Sequence, residues 1–295
     1  MARKNGENGC PVPKGILVII GGAEAKEFET KDEEKGGKES SDQQDRLEVL
    51  KTFVDLLGKK ESPLIEVVTT SSGEPDGSFA DYKKVFTGLG VRRVHHFHHN
   101  SRGEALDDNL AKRIEEADGF FFTGGDQLKL TSIYGGTTFL TDLKNRYIRD
   151  RIIIGGTSAG AMAMSTPMIY AGSKDVQQIG GEIKVTTGLE FLKDVCIDTH
   201  FVDRSRFVRM AQVVETNPGC IGIGIEEDSA IVVQNGVEAE VIGSGLITII
   251  EGFYIREANI NEFTNNKLMS VRDLKVHLLG KGQKYTIPQA NPPHH

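Results

Sequence analysis

Residues 151–164 read RIIIGGTSAGAMAM. Ile152-Ile153-Ile154 is a short apolar run of the kind that forms a strand buried on both faces. Gly155-Gly156 closes it as a turn, and Ala161-Met162-Ala163-Met164 are good helix formers. The same order recurs outward from this segment. Ile16–Ile20 runs into Gly21-Gly22, and Phe120-Phe121-Phe122-Thr123 runs into Gly124-Gly125. Helical patterns lie between. Leu47, Leu50, Phe53, Val54 and Leu57 mark one helix face with Gly58 as its stop, Leu64–Val68 is a strand, and a second helix spans about Phe79–Leu89. A strand from Val91 to about His98 and one helix from about Glu104 to Ala117 lead into the phenylalanine run. Strands alternating with helices predict right-handed β-α-β crossovers, hence an α/β fold with a doubly wound, mostly parallel sheet flanked by helices.

From Ile221 onward the grammar changes to short apolar runs separated by hairpin signals. Gln234-Asn235-Gly236-Val237 suits a type I′ turn. This predicts an antiparallel C-terminal extension of the same domain, because no linker-like segment intervenes. The expected organisation is an N-terminal tail (1–13), a single domain (14–287) and a C-terminal tail (288–295). The tract from about Glu24 to Asp45 is strongly polar and reads as a mobile surface loop, ahead of its reading as a lid over a site.

Composition excludes several classes. The 295 residues carry a formal charge of −7, which argues against a general nucleic-acid binder, since duplex affinity rests on neutralising phosphates. No apolar run reaches the roughly 18 residues that would span a bilayer, and the first residues lack a secretory h-region, so a soluble cytoplasmic protein is expected. Cys10, Cys196 and Cys220 suggest neither a disulfide framework nor a zinc module. The 34 glycines against 9 prolines read as tight turns at strand ends rather than linker.

The chemistry concentrates at those turns. Gly156-Thr157-Ser158-Ala159-Gly160 is G-x-S-x-G between a strand and a helix, the context in which a nucleophilic serine is held clear of the sheet on a strained turn. An ordinary glycine-rich turn would show the same letters. A serine nucleophile needs a base, and His200, at the end of the run Ile197-Asp198-Thr199-His200, is the best placed histidine. An acid must orient it, and Glu226, Glu227 and Asp228 all follow the run Gly222–Ile225; alternation puts the two glutamates on opposite sides without choosing between them. Gly124-Gly125-Asp126-Gln127 offers a second oxyanion donor besides Ala159, and Gln127 an amide for substrate. Arg204, Arg206 and Arg209 follow His200. Arg206 and Arg209 share one helix face, and such a cationic group suggests an anionic substrate, with a basic solvated face as the alternative. His96 and His98 would share a strand face able to chelate a metal, but no cysteine or carboxylate partner is evident nearby, and an exposed strand is the preferred reading.

Together, Ile19–Glu24, Phe122–Gln127, Gly156–Ala161, Asp198–Phe201 with its three arginines, and Gly222–Asp228 resemble the peptidase E and cyanophycinase family of serine peptidases, over about Lys14 to Ile287. The length, the arginine trio and the late run Val276–Leu279 resemble its cyanophycinase branch. The resemblance implies a sheet like that of class I glutamine amidotransferases and flavodoxin. It implies a triad of Ser158, His200 and Glu227, an oxyanion hole from Gly125 and Ala159, and a substrate pocket with Gln127, Asp198, Thr199, Arg204, Arg206 and Arg209. It implies no cofactor or metal, a homodimer, and hydrolysis of cyanophycin, an aspartate backbone bearing arginine on its β-carboxyls, to β-Asp-Arg dipeptides. A dipeptidase for small aspartyl or isoaspartyl peptides and a silent acidic-peptide binder are the other readings. One position departs from the pattern: the branch usually carries glutamine where this chain has Thr199, which removes a long amide donor from the pocket.

Overall fold

The computed structural model describes residues 11–24, 47–58, 61–107, 109–172, 183–259 and 268–288. Residues 25–45 of the polar tract and most of both tails therefore lie outside the described residues. Glu24 itself does not belong to a solvated loop, because it is buried.

The first five strands are β1 (Ile16–Ile20), β2 (Leu64–Val68), β3 (Arg93–Phe97), β4 (Gly119–Phe122) and β5 (Ile153–Thr157). They pair in parallel in the order β1-β5-β4-β2-β3. Each residue faces the side opposite its neighbour. Leu17, Ile19, Phe120, Phe122 and Ile154 enter one core cluster, and Ile16, Val18, Ile20, Phe121 and Ile153 enter the other. The runs of β1, β4 and β5 show no polar alternation because both faces are covered by protein, whereas β3, at the sheet edge, exposes Arg93 and His95.

Helices α1 (Glu48–Leu56) and α2 (Pro75–Gly88) cover the second face. Gly58 ends α1 at φ +83°, and α2 begins at Pro75, four residues before its apolar pattern, with proline in the first turn, where its missing N–H costs nothing. The single helix expected from Glu104 to Ala117 is instead two short ones, α3 (Arg102–Asp107) and α4 (Ala111–Glu116). The intervening sequence, Asp108-Asn109-Leu110, opens with two residue types that are poor helix formers. Helices α5 (Gln127–Tyr134) and α6 (Thr138–Arg149) are each capped as chemistry predicts: Asp126 accepts the Leu128 N–H at 2.8 Å and Thr137 the Leu140 N–H at 3.3 Å.

After α7 (Ala159–Ala163) come β6 (Ser165–Thr166), β7 (Met168–Ala171), β8 (Lys184–Thr186), β9 (Leu192–Lys193) and β10 (Val195–Thr199), then α8 (Phe207–Thr216). The remainder is strand: β11 (Ile221–Ile225), β12 (Ser229–Gln234), β13 (Glu238–Gly243), β14 (Ile247–Glu251), β15 (Glu257–Ala258), β16 (Val271–Arg272), β17 (Lys275–Leu279) and β18 (Lys284–Thr286). The Asn235-Gly236 turn has both residues at positive φ, 54° and 71°, and Val237 N–H reaches Gln234 O, as a type I′ turn requires.

The antiparallel extension is divided between two sheets. Strands β12, β13 and β18 continue the first to give the order β18-β13-β12-β1-β5-β4-β2-β3, while β14 and β17 join a second, β17-β14-β11-β10-β6-β9. The sheets share one core: Ile197, Ile223 and Ile249 of the second pack in the cluster that holds Leu17 and Ile154 of the first. Helix α8 covers the other face with Met210, Val213 and Val214.

Phe121 lies within 5.3 Å of the rings of Phe53, Tyr82 and Phe86 and has no exposed surface. Phe121→Ala should cost about 3–5 kcal/mol. The urea midpoint should fall with an unchanged slope, whereas an unchanged midpoint would show that the cluster does not anchor α1 and α2.

Candidate active site

Ser158 is the single residue between β5 and α7. Its φ of 49° and ψ of −113° are unusual for a residue with a side chain, and its N–H donates to Ile20 O at 3.1 Å. Ala159 begins α7, so its N–H has no partner within the helix. Gly125, between β4 and α5, sits at φ +135°, and a Cβ there would come within 2.0 Å of Ser71 O. The Gly124-Gly125 turn lies against Ser158: a Cβ on Gly124 would be 3.4 Å from the Ser158 Cβ.

The histidine and the acid arrive from the second sheet. His200 follows β10 at φ 49° and donates its N–H to Gly21 O at 3.0 Å. Its ring Nε2 is 3.0 Å from Ser158 Oγ and its Nδ1 is 2.5 Å from Glu227 Oε1, so a neutral ring protonated on Nδ1 accepts from the serine and donates to the carboxylate. Glu226 turns the other way, and its Oε2 accepts the Leu246 N–H at 2.8 Å. Of the two glutamates, Glu227 is the one in contact with His200, while Glu226 is engaged by the residue before β14.

A cavity of about 130 Å³ adjoins the serine and is lined by Gly125, Gln127, Ala159, Thr199 and the three arginines, among others. Arg204 precedes α8, Arg206 caps it and Arg209 lies in its first turn. Asp198 lies beneath the cavity with no exposed surface. It accepts from Arg206 Nη1 (2.7 Å), Arg209 Nε (2.6 Å), Arg209 Nη2 and the Thr199 N–H (3.0 Å). It shapes the pocket through the arginines rather than by lining it. Burial lowers the Arg206 pKa from its ordinary value, and Asp198 opposes that shift. Arg206 Nη1 also donates to Thr199 O at 2.6 Å. The Thr199 hydroxyl is buried and has no hydrogen-bond partner among the described residues. Gln127 lines the cavity while its Nε2 donates to Ile169 O at 2.9 Å.

His96 and His98 converge on the Thr69 hydroxyl at 2.7 and 3.0 Å, and His96 stacks on Phe79. Among the described residues no group of three or more histidine, cysteine, aspartate or glutamate side chains is placed to hold a metal. Cys196 and Cys220 are buried free thiols, and burial pushes the latter up to about 12. Within the described residues no helix is long and apolar enough to cross a membrane. The sequence reading missed a second cavity, of about 400 Å³, which opens from the same serine and histidine and is lined by Glu24, Ser78, Tyr82 and Thr157 as well. Its one sequence signal was the carboxylate two residues after Gly22, which the polarity of the following tract obscured.

The model of peptidase family S51 matches residues 36–241. A cyanophycinase of Synechococcus elongatus is 30% identical over 274 residues, 93% of this chain and 80% of its own. One of Geminocystis herdmanii is 29% identical over 272 residues, 92% of this chain and 93% of its own. Among solved structures, a peptidase from an acI-B1 actinobacterium has a TM-score of 0.61 at 17% identity, covering 94% of this chain and 98% of its own, a likeness of fold.

Asp198 holds two guanidiniums that are themselves about nine-tenths buried. Asp198→Asn should therefore destabilise the protein by about 3–5 kcal/mol, the usual cost of stripping one partner from a buried ion pair. Chemical denaturation reads this directly, and an unchanged midpoint would mean that water already solvates the arginines.

Proposed function

The chain belongs to peptidase family S51 and is a serine-type peptidase, and we propose that it is an exopeptidase that hydrolyses cyanophycin to β-Asp-Arg dipeptides. The observation that carries the substrate class is the cavity beside Ser158, walled by Arg204, Arg206 and Arg209. A β-linked arginine presents a free α-carboxylate, the group that planar guanidinium forks pair with best. Similarity to the cyanophycinases of Synechococcus elongatus and Geminocystis herdmanii along nearly the whole chain supports the same substrate.

In this reading Ser158 Oγ attacks the backbone carbonyl carbon of the residue that carries the branched arginine, and its proton passes to His200 Nε2. Glu227 holds the ring orientation and stabilises the imidazolium. The N–H groups of Gly125 and Ala159 receive the oxyanion. The tetrahedral intermediate collapses by breaking the C–N bond as His200 returns the proton to the leaving amine. Water, deprotonated by His200, then attacks the acyl ester through a second oxyanion and releases Ser158. The reading also places the protein in the cytoplasm as a homodimer. A second reading, cleavage of small aspartyl or isoaspartyl peptides, draws on Thr199, whose short side chain supplies no long amide to the pocket.

Ser158→Ala should lower dipeptide release by a factor on the order of 10⁴ or more without unfolding the protein. Glu227→Gln should cost on the order of 10⁴, and Glu226→Gln less than tenfold. Release measured by mass spectrometry from purified cyanophycin and from α- and β-aspartyl dipeptides separates the two readings. Equal losses in the two glutamate variants would overturn the triad assignment.

A further inference from the structure

Ser158 opens into two cavities, and His200 lines only one of them. The smaller cavity holds Gly125, Ala159 and the arginines, whereas the larger, of about 400 Å³, holds His200 together with Glu24, Ser78, Tyr82 and Thr157. In acyl transfer the general acid delivers its proton to the leaving amine, so the departing half lies on the side that the acid faces. The acyl half then occupies the arginine side, next to the oxyanion donors.

Glu24 gives the leaving side its chemistry. The residue is 5% exposed, and its two oxygens accept separately, Oε1 from the Tyr82 hydroxyl and Oε2 from Thr157 Oγ1 at 2.6 Å. Burial, and after it the Glu24 charge, raise the Tyr82 pKa well above its ordinary value, which keeps that hydroxyl a donor. Both donors are neutral. Among the described residues no lysine, arginine or histidine pairs with Glu24, and its carboxyl group lines the cavity held only by these two neutral donors. An unpaired buried carboxylate is costly, and a cation entering the cavity would offset that cost.

We propose that the larger cavity is the leaving-group subsite and that Glu24 recognises a positive charge there, a guanidinium or ammonium on the residue whose amine departs. This rests on the peptidase reading given above and deepens it. The cleft is polarised, with anion recognition on the acyl side and cation recognition on the leaving side. That polarity suits a polymer in which an arginine branch hangs from every aspartyl unit.

The test uses three synthetic peptides with a common β-Asp-Arg acyl half, whose leaving residue carries arginine, lysine or the neutral isostere citrulline. For the unaltered protein, kcat/KM for the arginine and lysine peptides should exceed that for citrulline by about tenfold or more, the worth of a charge-assisted hydrogen bond. In Glu24→Gln that ratio should fall to within about twofold. Ser78→Lys, which sets a competing cation in the cavity from a half-buried position, should depress the ratio in the same way and serves if the first variant does not fold. A merely structural role for Glu24 would change all three rates together and leave the ratio alone. A ratio near one in the unaltered protein, or one untouched by both substitutions, overturns the subsite while the peptidase reading stands. Failure of the unaltered protein to cleave any of the three overturns the β-aspartyl reading itself.

Discussion

Three consecutive carbonyls at the end of β1 hold the site together. Ile20 O accepts the N–H of Ser158, Gly21 O that of His200, and Gly22 O that of Asp228, the residue after Glu227, at 3.0–3.1 Å each. Ser158 follows a strand of the first sheet, whereas His200 follows a strand of the second and Glu227 the strand beside it. The three side chains would otherwise have no reason to share a register. Consecutive peptide units of one segment therefore set the three side chains in register. No side chain fits at this junction. A Cβ on Gly21 would come within 1.9 Å of Glu226 O, and one on Gly22, at φ +104°, within 2.5 Å of the His200 ring.

That junction also explains where strain is tolerated. Ala23, Ser158, His200 and Asp228 all have φ near +50°, in the region that L residues avoid. Such conformations cost of order 1–3 kcal/mol each and persist only where the surroundings over-determine them. Here two sheets share a core, so neither can shift against the other without opening it. The rigidity that holds Ser158 and His200 in register is therefore a property of packing at a distance from the chemistry.

Most of the first sheet was legible because a strand covered on both faces declares itself as an apolar run closed by glycine, as at Ile16–Gly22 and Ile152–Gly156. The Asn235-Gly236 turn was legible for the same reason: only a few residues accept positive φ twice in succession. The assignment of β10 and β11 to a separate sheet was not. Val195–Thr199 and Ile221–Ile225 pair in parallel like the strands of the first sheet, and only long-range packing decides which sheet a strand joins. Period-2 reasoning could place Glu226 and Glu227 on opposite sides but not name the side that holds His200, since that depends on the chain crossing from one sheet to the other. Glu24 was misread because composition averages over a window, and one buried carboxylate at the edge of a polar tract disappears in that average.

Asp198 sets the electrostatic character of the pocket by being single. Three arginines less one carboxylate leave two positive charges around a cavity of about 130 Å³, in a chain whose formal charge is −7. Without Asp198, Arg206 and Arg209 would be buried against each other with no compensation, at a cost of about 3–5 kcal/mol. A second carboxylate would cancel the remaining charge and with it any attraction for an anion. Because Asp198 uses both oxygens on side chains from the cap and first turn of α8, it fixes the guanidiniums as well as compensating them. The guanidiniums therefore stand oriented before any anion arrives, and less of the attraction is spent in ordering long side chains.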